Sequence, residues 1–212
     1  MTTLFAASAI DDYDGLNAAL LLLRVVVGLS LAAHGYNKFF GGGRIPGTAR
    51  WFDAMGMKPN GKVHAVLAAT TELGGGLLFA LGLVTPLAGA AIVGLMVVAG
   101  WTVHRGHFFI VDNGWEYNLV LATVAVGVST IGPGRYSLDD LLDLSFPFEP
   151  KFGLAISAGL GVAAGIGLLA ACYRPPASAS GNDDASPTEE APGDPTVADG
   201  VAGQPGGSTE GS

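Results

Sequence analysis

The chain has 212 residues, of which 50% are hydrophobic, 13% are charged and 33 residues are glycine. Soluble domains carry about twice that charged fraction, so the composition argues against a water-soluble globular protein. Seven of the 18 acidic residues follow Pro175, where no Lys or Arg occurs. The preceding part is therefore almost neutral, which does not indicate a nucleic-acid-binding protein. The single cysteine, Cys172, excludes an internal disulfide, a CxxC redox pair and a cysteine-built metal site.

Five apolar segments approach or exceed the length needed to cross a bilayer, which is roughly 20 helical residues. They are Leu16–Ala33, His64–Val84, Pro86–Val103, Tyr117–Ile131 and Phe152–Tyr173, of which the fourth is the shortest. Five such segments leave too little polar sequence to surround them, so the sequence predicts an all-α transmembrane helix bundle. The first segment is not predicted to be a cleaved signal peptide, because aspartates rather than basic residues precede it.

Lys and Arg residues are distributed asymmetrically between the predicted loops, and this asymmetry predicts an orientation in the membrane. One side carries Lys38, Arg44, Arg50, Lys58, Lys62, Arg105 and Arg174. The other side carries only Arg135 and Lys151. With five spans, the positive-inside rule places the N-terminal segment 1–15 outside the cell and the C-terminal tail in the cytoplasm.

Two segments outside the predicted spans have distinct compositions. Residues 48–57 place Trp51, Phe52 and Met55 at helical spacing. This pattern predicts either a short helix in the headgroup plane or a loop that caps the bundle. After a linker and fifth helix at 144–174, residues 175–212 are rich in Pro, Gly, Ser, Thr and acidic residues, which predicts a disordered acidic tail.

Two charged residues lie inside apolar segments, where a charge needs a partner or a function. Arg24 lies midway along the first segment and Glu72 lies near the middle of the second. If these helices are antiparallel neighbours, the two side chains are expected to form a buried ion pair. The pair would either clamp the two helices together or supply the Glu72 carboxylate to a proton or quinone site. No catalytic residue is assigned.

Histidines and other polar residues gather at one end of the predicted bundle. His34 ends the first segment, His64 begins the second, and His104 and His107 follow the third. The candidate polar mouth, or quinone-binding site, consists of His34, Lys38, His104, His107, Glu116 and Tyr117. Such a cluster could bind a quinone headgroup, a haem or a metal, but ordinary interfacial histidines give the same pattern. Because no HxxxH or HExxH pair occurs, a metal site is not predicted, and quinone is the candidate cofactor.

Four segments in order resemble the DoxX family of small bacterial membrane proteins. They are LLLLRVVVGLSLAAHGYNKFFG (20–41), ELGGGLLFALGLVTP (72–86), GWEYNLVL (114–121) and GPGRYSLD (132–139), and the resemblance covers roughly residues 16–143. The positions that match the family pattern are Arg24, Gly35, Lys38, Glu72, Gly75, Glu116, Gly132, Gly134, Ser137 and Asp139. The resemblance implies a four-helix membrane bundle in a bacterial plasma membrane, to which this chain adds a fifth helix and a tail.

The resemblance also implies a redox-linked role, since some DoxX proteins are small subunits of a thiosulfate:quinone oxidoreductase and others associate with membrane oxidoreductase complexes. We therefore expect an accessory or quinone-facing subunit of a membrane-bound oxidoreductase or respiratory assembly, with other membrane or redox subunits as partners. A homo-oligomer is also open, since Gly161 and Gly165 form a GxxxG pair. The alternatives are a quinone-reducing enzyme subunit and a small-molecule or proton permease. A self-sufficient enzyme is disfavoured, because no dithiol, nucleotide fingerprint or cluster motif is present.

Overall fold

The computed structural model describes residues 2–144 and 150–175, with side chains from residue 14 onward. This part of the chain is helical. The helices are α1 Thr2–Phe40, α2 Arg44–Ala54, α3 Gly61–Leu81, α4 Thr85–Thr102, α5 Glu116–Ile131, α6 Leu138–Leu141 and α7 Pro150–Cys172. Two of them contain a π-helical segment, at Thr71–Gly75 in α3 and at Ala155–Leu160 in α7. Except for Pro175, the tail predicted to be disordered lies outside the described residues.

Four helices of the described chain are long and apolar enough to span a membrane: α1 from Asp14, α3, α4 and α7. The fifth, α5, has 16 residues, which is about 24 Å at 1.5 Å per residue and shorter than a hydrocarbon core of roughly 30 Å. All five predicted segments are helical, and the predicted class, an all-α transmembrane bundle, is confirmed. The helix α1 begins at Thr2 rather than at Leu16, because the aspartates interrupt the apolar run without breaking the helix.

The long helices run up and down, which defines two ends of the bundle. At the α2 end lie the carboxyl ends of α1, α4 and α7 and the start of α3. There the amide of Lys58 donates to the carbonyl of Cys172 (2.8 Å) and that of Arg174 donates to Gly56 (2.9 Å). At the α6 end lie the turn between α3 and α4 and the segment that follows α5. The two ends contain different clusters of polar side chains.

The helix α2 packs on the start of α3. Phe52 is buried with its ring centroid 6.0 Å from that of His64, and the Asp53 carboxylate accepts a hydrogen bond from the amide of Gly61 at 2.5 Å. Trp51 is exposed. Residues 48–54 lie in a helix that begins earlier than expected, at Arg44, and one side of that helix packs on α3.

The helices α1 and α3 cross closely at glycine residues. A Cβ atom added to Gly76 would lie 2.5 Å from the carbonyl oxygen of Gly28 and 2.7 Å from the amide nitrogen of Ala32. A Cβ on Gly35 would overlap the amide nitrogen of Leu73 in the same way. Small residues let membrane helices approach to backbone contact, so these glycines fix how far α1 slides along α3.

A second close crossing lies between α4 and α7. A Cβ on Gly161 would lie 2.8 Å from the carbonyl of Ala90, and one on Gly165 would lie 3.0 Å from that of Gly94. The GxxxG pair is therefore used inside the chain, to pack α7 against α4.

We expect Gly76→Ala to lower the free energy of unfolding by roughly 1–3 kcal/mol, the usual cost of overpacking a filled interior. Gly74→Ala is the matched control, because a Cβ there has no neighbour within 4 Å. Both glycines lie in α3 two residues apart, so their helix-propensity terms are similar. Thermal unfolding in detergent checks this prediction, and equal melting temperatures for the two variants would contradict it.

Candidate functional site

A charged pair lies between α1 and α3 near the α2 end. The ammonium of Lys38 lies 2.8 Å from Oε1 and 2.5 Å from Oε2 of Glu72. The two side chains are 22% and 11% exposed, so the pair is largely removed from solvent. Glu72 belongs to the π-helical segment Thr71–Gly75, and single π-turns inside α-helices occur often at functional sites.

The predicted ion pair between Arg24 and Glu72 is wrong. Arg24 is fully buried, and its Nη2 donates to the carbonyl oxygen of Tyr136 at 2.6 Å, with Nη1 3.5 Å from that of Ala80. The glycine crossings give the physical reason. Gly28 lies against Gly76, so Arg24, one turn earlier, lies at the level of Ala80, whereas Glu72 lies beside the last turns of α1.

Arg24 instead belongs to a polar cluster at the α6 end. The Asp139 carboxylate, which attracts the guanidinium electrostatically, accepts hydrogen bonds from the amides of Val84 (2.7 Å) and Thr85 (3.0 Å) and from the Thr85 hydroxyl (2.8 Å). A carboxylate at this place satisfies free N–H groups at the start of α4 and complements the helix dipole. It also holds Val84 in a left-handed conformation (φ 45°) that a β-branched residue rarely adopts.

The segment after α5 brings Asp139 to this place. Gly132 and Gly134 have φ values of 108° and 79°, which favour glycine. The Ser137 hydroxyl donates to the carbonyl of Gly134 at 2.7 Å and accepts from the amide of Asp140, which caps α6. The side chain of Asn17 in α1 accepts from the amide of Arg135 at 2.9 Å. Hydrogen bonds of these residues and of Asp139 therefore attach the segment after α5 to α1 and to the start of α4.

A cavity of about 510 Å³ lies at the α2 end between α1, α2, α3, α4 and α7. Its wall is mostly apolar, with Met57, Leu67 and Met96 among the lining residues. The polar side chains of the wall are Lys38, His64, Thr71, Glu72, Thr102 and His104. The volume lies within the range of small-molecule sites, which are typically apolar with a few polar groups that orient the ligand.

Two of the four histidines reach this cavity. The His64 ring is buried, with Nε2 2.7 Å from the carbonyl oxygen of Lys58. His104 is partly buried, with Nδ1 2.7 Å from the carbonyl oxygen of Asn113. Each ring is therefore oriented by one hydrogen bond to the backbone.

The predicted polar mouth is only partly assembled around the cavity. Lys38 and His104 line it, whereas His34, His107 and Tyr117 are exposed and lie outside its wall. Glu116 is also outside, and its carboxylate accepts from the amide of Ile110 at 3.2 Å, where it holds the loop between α4 and α5. In the described part of the chain, no group of three His, Cys, Asp or Glu side chains comes together.

Sequence reasoning missed Thr71 and Thr102 as lining residues of the cavity. A threonine in an apolar helix usually donates its hydroxyl to the carbonyl one turn earlier, as Thr102 does to Val98 at 2.8 Å. Their sequence positions indicate that they lie near the cavity, because Thr71 adjoins Glu72 and Thr102 lies two residues before His104.

Comparison with known proteins places the sequence in a family. A sequence model described as DoxX matches residues 19–105. A protein named "Putative oxidoreductase CatD" from Bacillus subtilis (strain 168) is 30% identical over 109 residues, which is 51% of this chain and 77% of the relative. No solved structure matches the chain. The resemblance suggested by the motifs is confirmed, and the matched range contains every polar residue of the cavity wall.

Proposed function

This chain belongs to the DoxX family, and on that premise we propose that it is a membrane subunit of an oxidoreductase assembly whose cavity binds a quinone-class ring. The observation that carries the proposal is the cavity itself, which combines apolar walls with a Lys–Glu pair and two oriented imidazoles. A quinone ring is planar and apolar with oxygen atoms at opposite edges. It therefore requires this combination of surfaces.

The Lys38–Glu72 pair supplies the polar contact that such a ring needs at its edge. Two hydrogens of the ammonium are directed to the carboxylate, and a third can donate to an oxygen of the ligand. Because the two charges neutralise one another, the cavity can remain apolar enough for a ring and a hydrocarbon chain. The name of the Bacillus relative supports an oxidoreductase context.

We infer that the cavity lies near the cytoplasmic face. The loop residues around it include Arg44, Arg50, Lys58 and Lys62, and basic residues in short loops favour the cytoplasmic side. A soluble or membrane-bound partner on that side would then supply or receive the electrons. Labelling of a cysteine introduced at exposed Lys62, with reagents that do not cross the membrane, checks this orientation.

Extraction in a mild detergent from the native membrane, with mass spectrometry and quinone extraction on the same fraction, tests the proposal. We expect oxidoreductase subunits and bound quinone to accompany the chain. Ala99→Leu, which fills the cavity, should remove the quinone and keep the partners. Ala163→Leu is the matched control on exposed surface of α7 outside the cavity. A wild-type chain that carries no quinone and takes up neither added duroquinone nor durohydroquinone would contradict the proposal.

A further inference from the structure

The hydrogen-bond partner of His104 determines which of its ring nitrogens carries the hydrogen. Its Nδ1 lies 2.7 Å from the carbonyl oxygen of Asn113. A carbonyl oxygen can only accept, so Nδ1 carries the hydrogen. In a neutral imidazole the other nitrogen then has a free lone pair and no hydrogen. His104 therefore offers an acceptor, Nε2, for further bonding.

Thr102, two residues earlier on the same wall, is also left as an acceptor. Its hydroxyl hydrogen is directed to the carbonyl of Val98 at 2.8 Å, so the oxygen can only accept from a ligand. His64 adds no such acceptor, because its Nε2 donates to the carbonyl of Lys58 and its Nδ1 is buried out of reach of a ligand.

The charged pair adds a further acceptor to the same cavity. Both oxygens of the Glu72 carboxylate face the ammonium of Lys38, and each retains a lone pair for a second bond. The third hydrogen of Lys38 can serve a carbonyl or a phenolic oxygen equally well, so it does not distinguish one from the other. The polar groups of the cavity that distinguish a hydroxyl from a carbonyl on the ligand are therefore mainly acceptors.

We propose that the cavity selects the reduced, hydroxyl-bearing form of its ring, a hydroquinone, over the oxidised quinone. A hydroquinone has two O–H donors, which Glu72 and His104 can accept. A quinone has only acceptor oxygens: Lys38 can donate to one of them, but the other would face acceptor groups, which leaves that oxygen and those acceptors unsatisfied on desolvation. This inference rests on the proposed function, and it identifies the form of the ring that the chain retains.

The test is equilibrium dialysis of the full-length chain in detergent, under anaerobic conditions, with durohydroquinone and duroquinone as the probes. We expect the hydroquinone to bind at least about tenfold more tightly, the effect of one well-formed hydrogen bond against an unmet one. Thr102→Val and His104→Phe should each bring the affinity ratio towards one, and exposed His34→Phe should leave it unchanged.

The outcomes separate this inference from the function on which it rests. Equal binding of the two probes, or tighter binding of duroquinone, overturns the redox-state preference and leaves quinone-class binding intact. Failure of both probes to bind overturns the proposed function and the preference with it. An unchanged ratio in both Thr102→Val and His104→Phe, with the wild-type preference present, overturns the assignment to these acceptors.

Discussion

Replacing Arg24 by methionine is expected to lower the free energy of unfolding by about 3–5 kcal/mol, as is usual when one member of a buried charged network is removed. The guanidinium is fully buried and bonds the carbonyl of Tyr136, which lies in the loop after α5. Methionine keeps the length and the apolar contacts of the side chain but makes none of these bonds. The measurement is thermal unfolding of the purified chain in detergent.

Arg135→Met is the matched control for this prediction. Arg135 lies in the same loop as Tyr136, carries the same charge and is exposed, so its loss should cost less than about 0.5 kcal/mol. Arg24→Met with a melting temperature equal to that of Arg135→Met would show that the buried guanidinium does not hold the α6 end together.

Asp139→Asn combined with Arg24→Met should cost less stability than the sum of the two single substitutions. In the single Arg24 variant the Asp139 carboxylate keeps its bonds to Val84 and Thr85 but loses the nearby positive charge. Asp139→Asn removes the negative charge that Arg24→Met leaves without a nearby positive charge. The double variant should therefore be less destabilised than the sum of the single variants. Additive losses would show that the two groups act independently.

The bundle could be predicted from the sequence because apolar length is a property of one segment at a time. Each of the five segments was identified without reference to its neighbours, and each is helical in the structure. The pairing of charges is different, because it depends on how far one helix slides along another. Backbone contacts such as Gly28 against Gly76 set that register, which decides whether Arg24 or Lys38, about four turns apart on α1, is the partner of Glu72.

The cavity could be predicted only in part, for a related reason. Placing His34, His104 and His107 at one end of the bundle required only topology, which the sequence supplied. Whether each side chain lines the cavity depends on side-chain reach and on loop conformation. The long Lys38 side chain reaches Glu72, whereas His34, one turn earlier, stays exposed. The loop after α4 turns at Asn113, which has a φ of 59° and whose carbonyl orients His104.

Replacing Lys38 by methionine is expected to destabilise the chain by roughly 2 kcal/mol, less than the 3–5 kcal/mol of a fully buried pair, because Lys38 keeps some contact with solvent. The substitution leaves the Glu72 carboxylate unpaired in an apolar wall. Lys62→Met is the control, since Lys62 lies at the same end of the bundle and is exposed. Thermal unfolding in detergent again gives the measurement.

Two double variants then separate the pair that the structure contains from the pair that the sequence suggested. Lys38→Met combined with Glu72→Gln should be less destabilised than the sum of the single variants, because the second substitution removes the charge that the first left unpaired. Arg24→Met combined with Glu72→Gln should be additive, because Arg24 and Lys38 are 14 residues apart on α1, or about 21 Å along the helix axis. Coupling of Glu72 to Arg24 and none to Lys38 would overturn the register between α1 and α3, and with it the position of the Lys–Glu pair in the cavity wall.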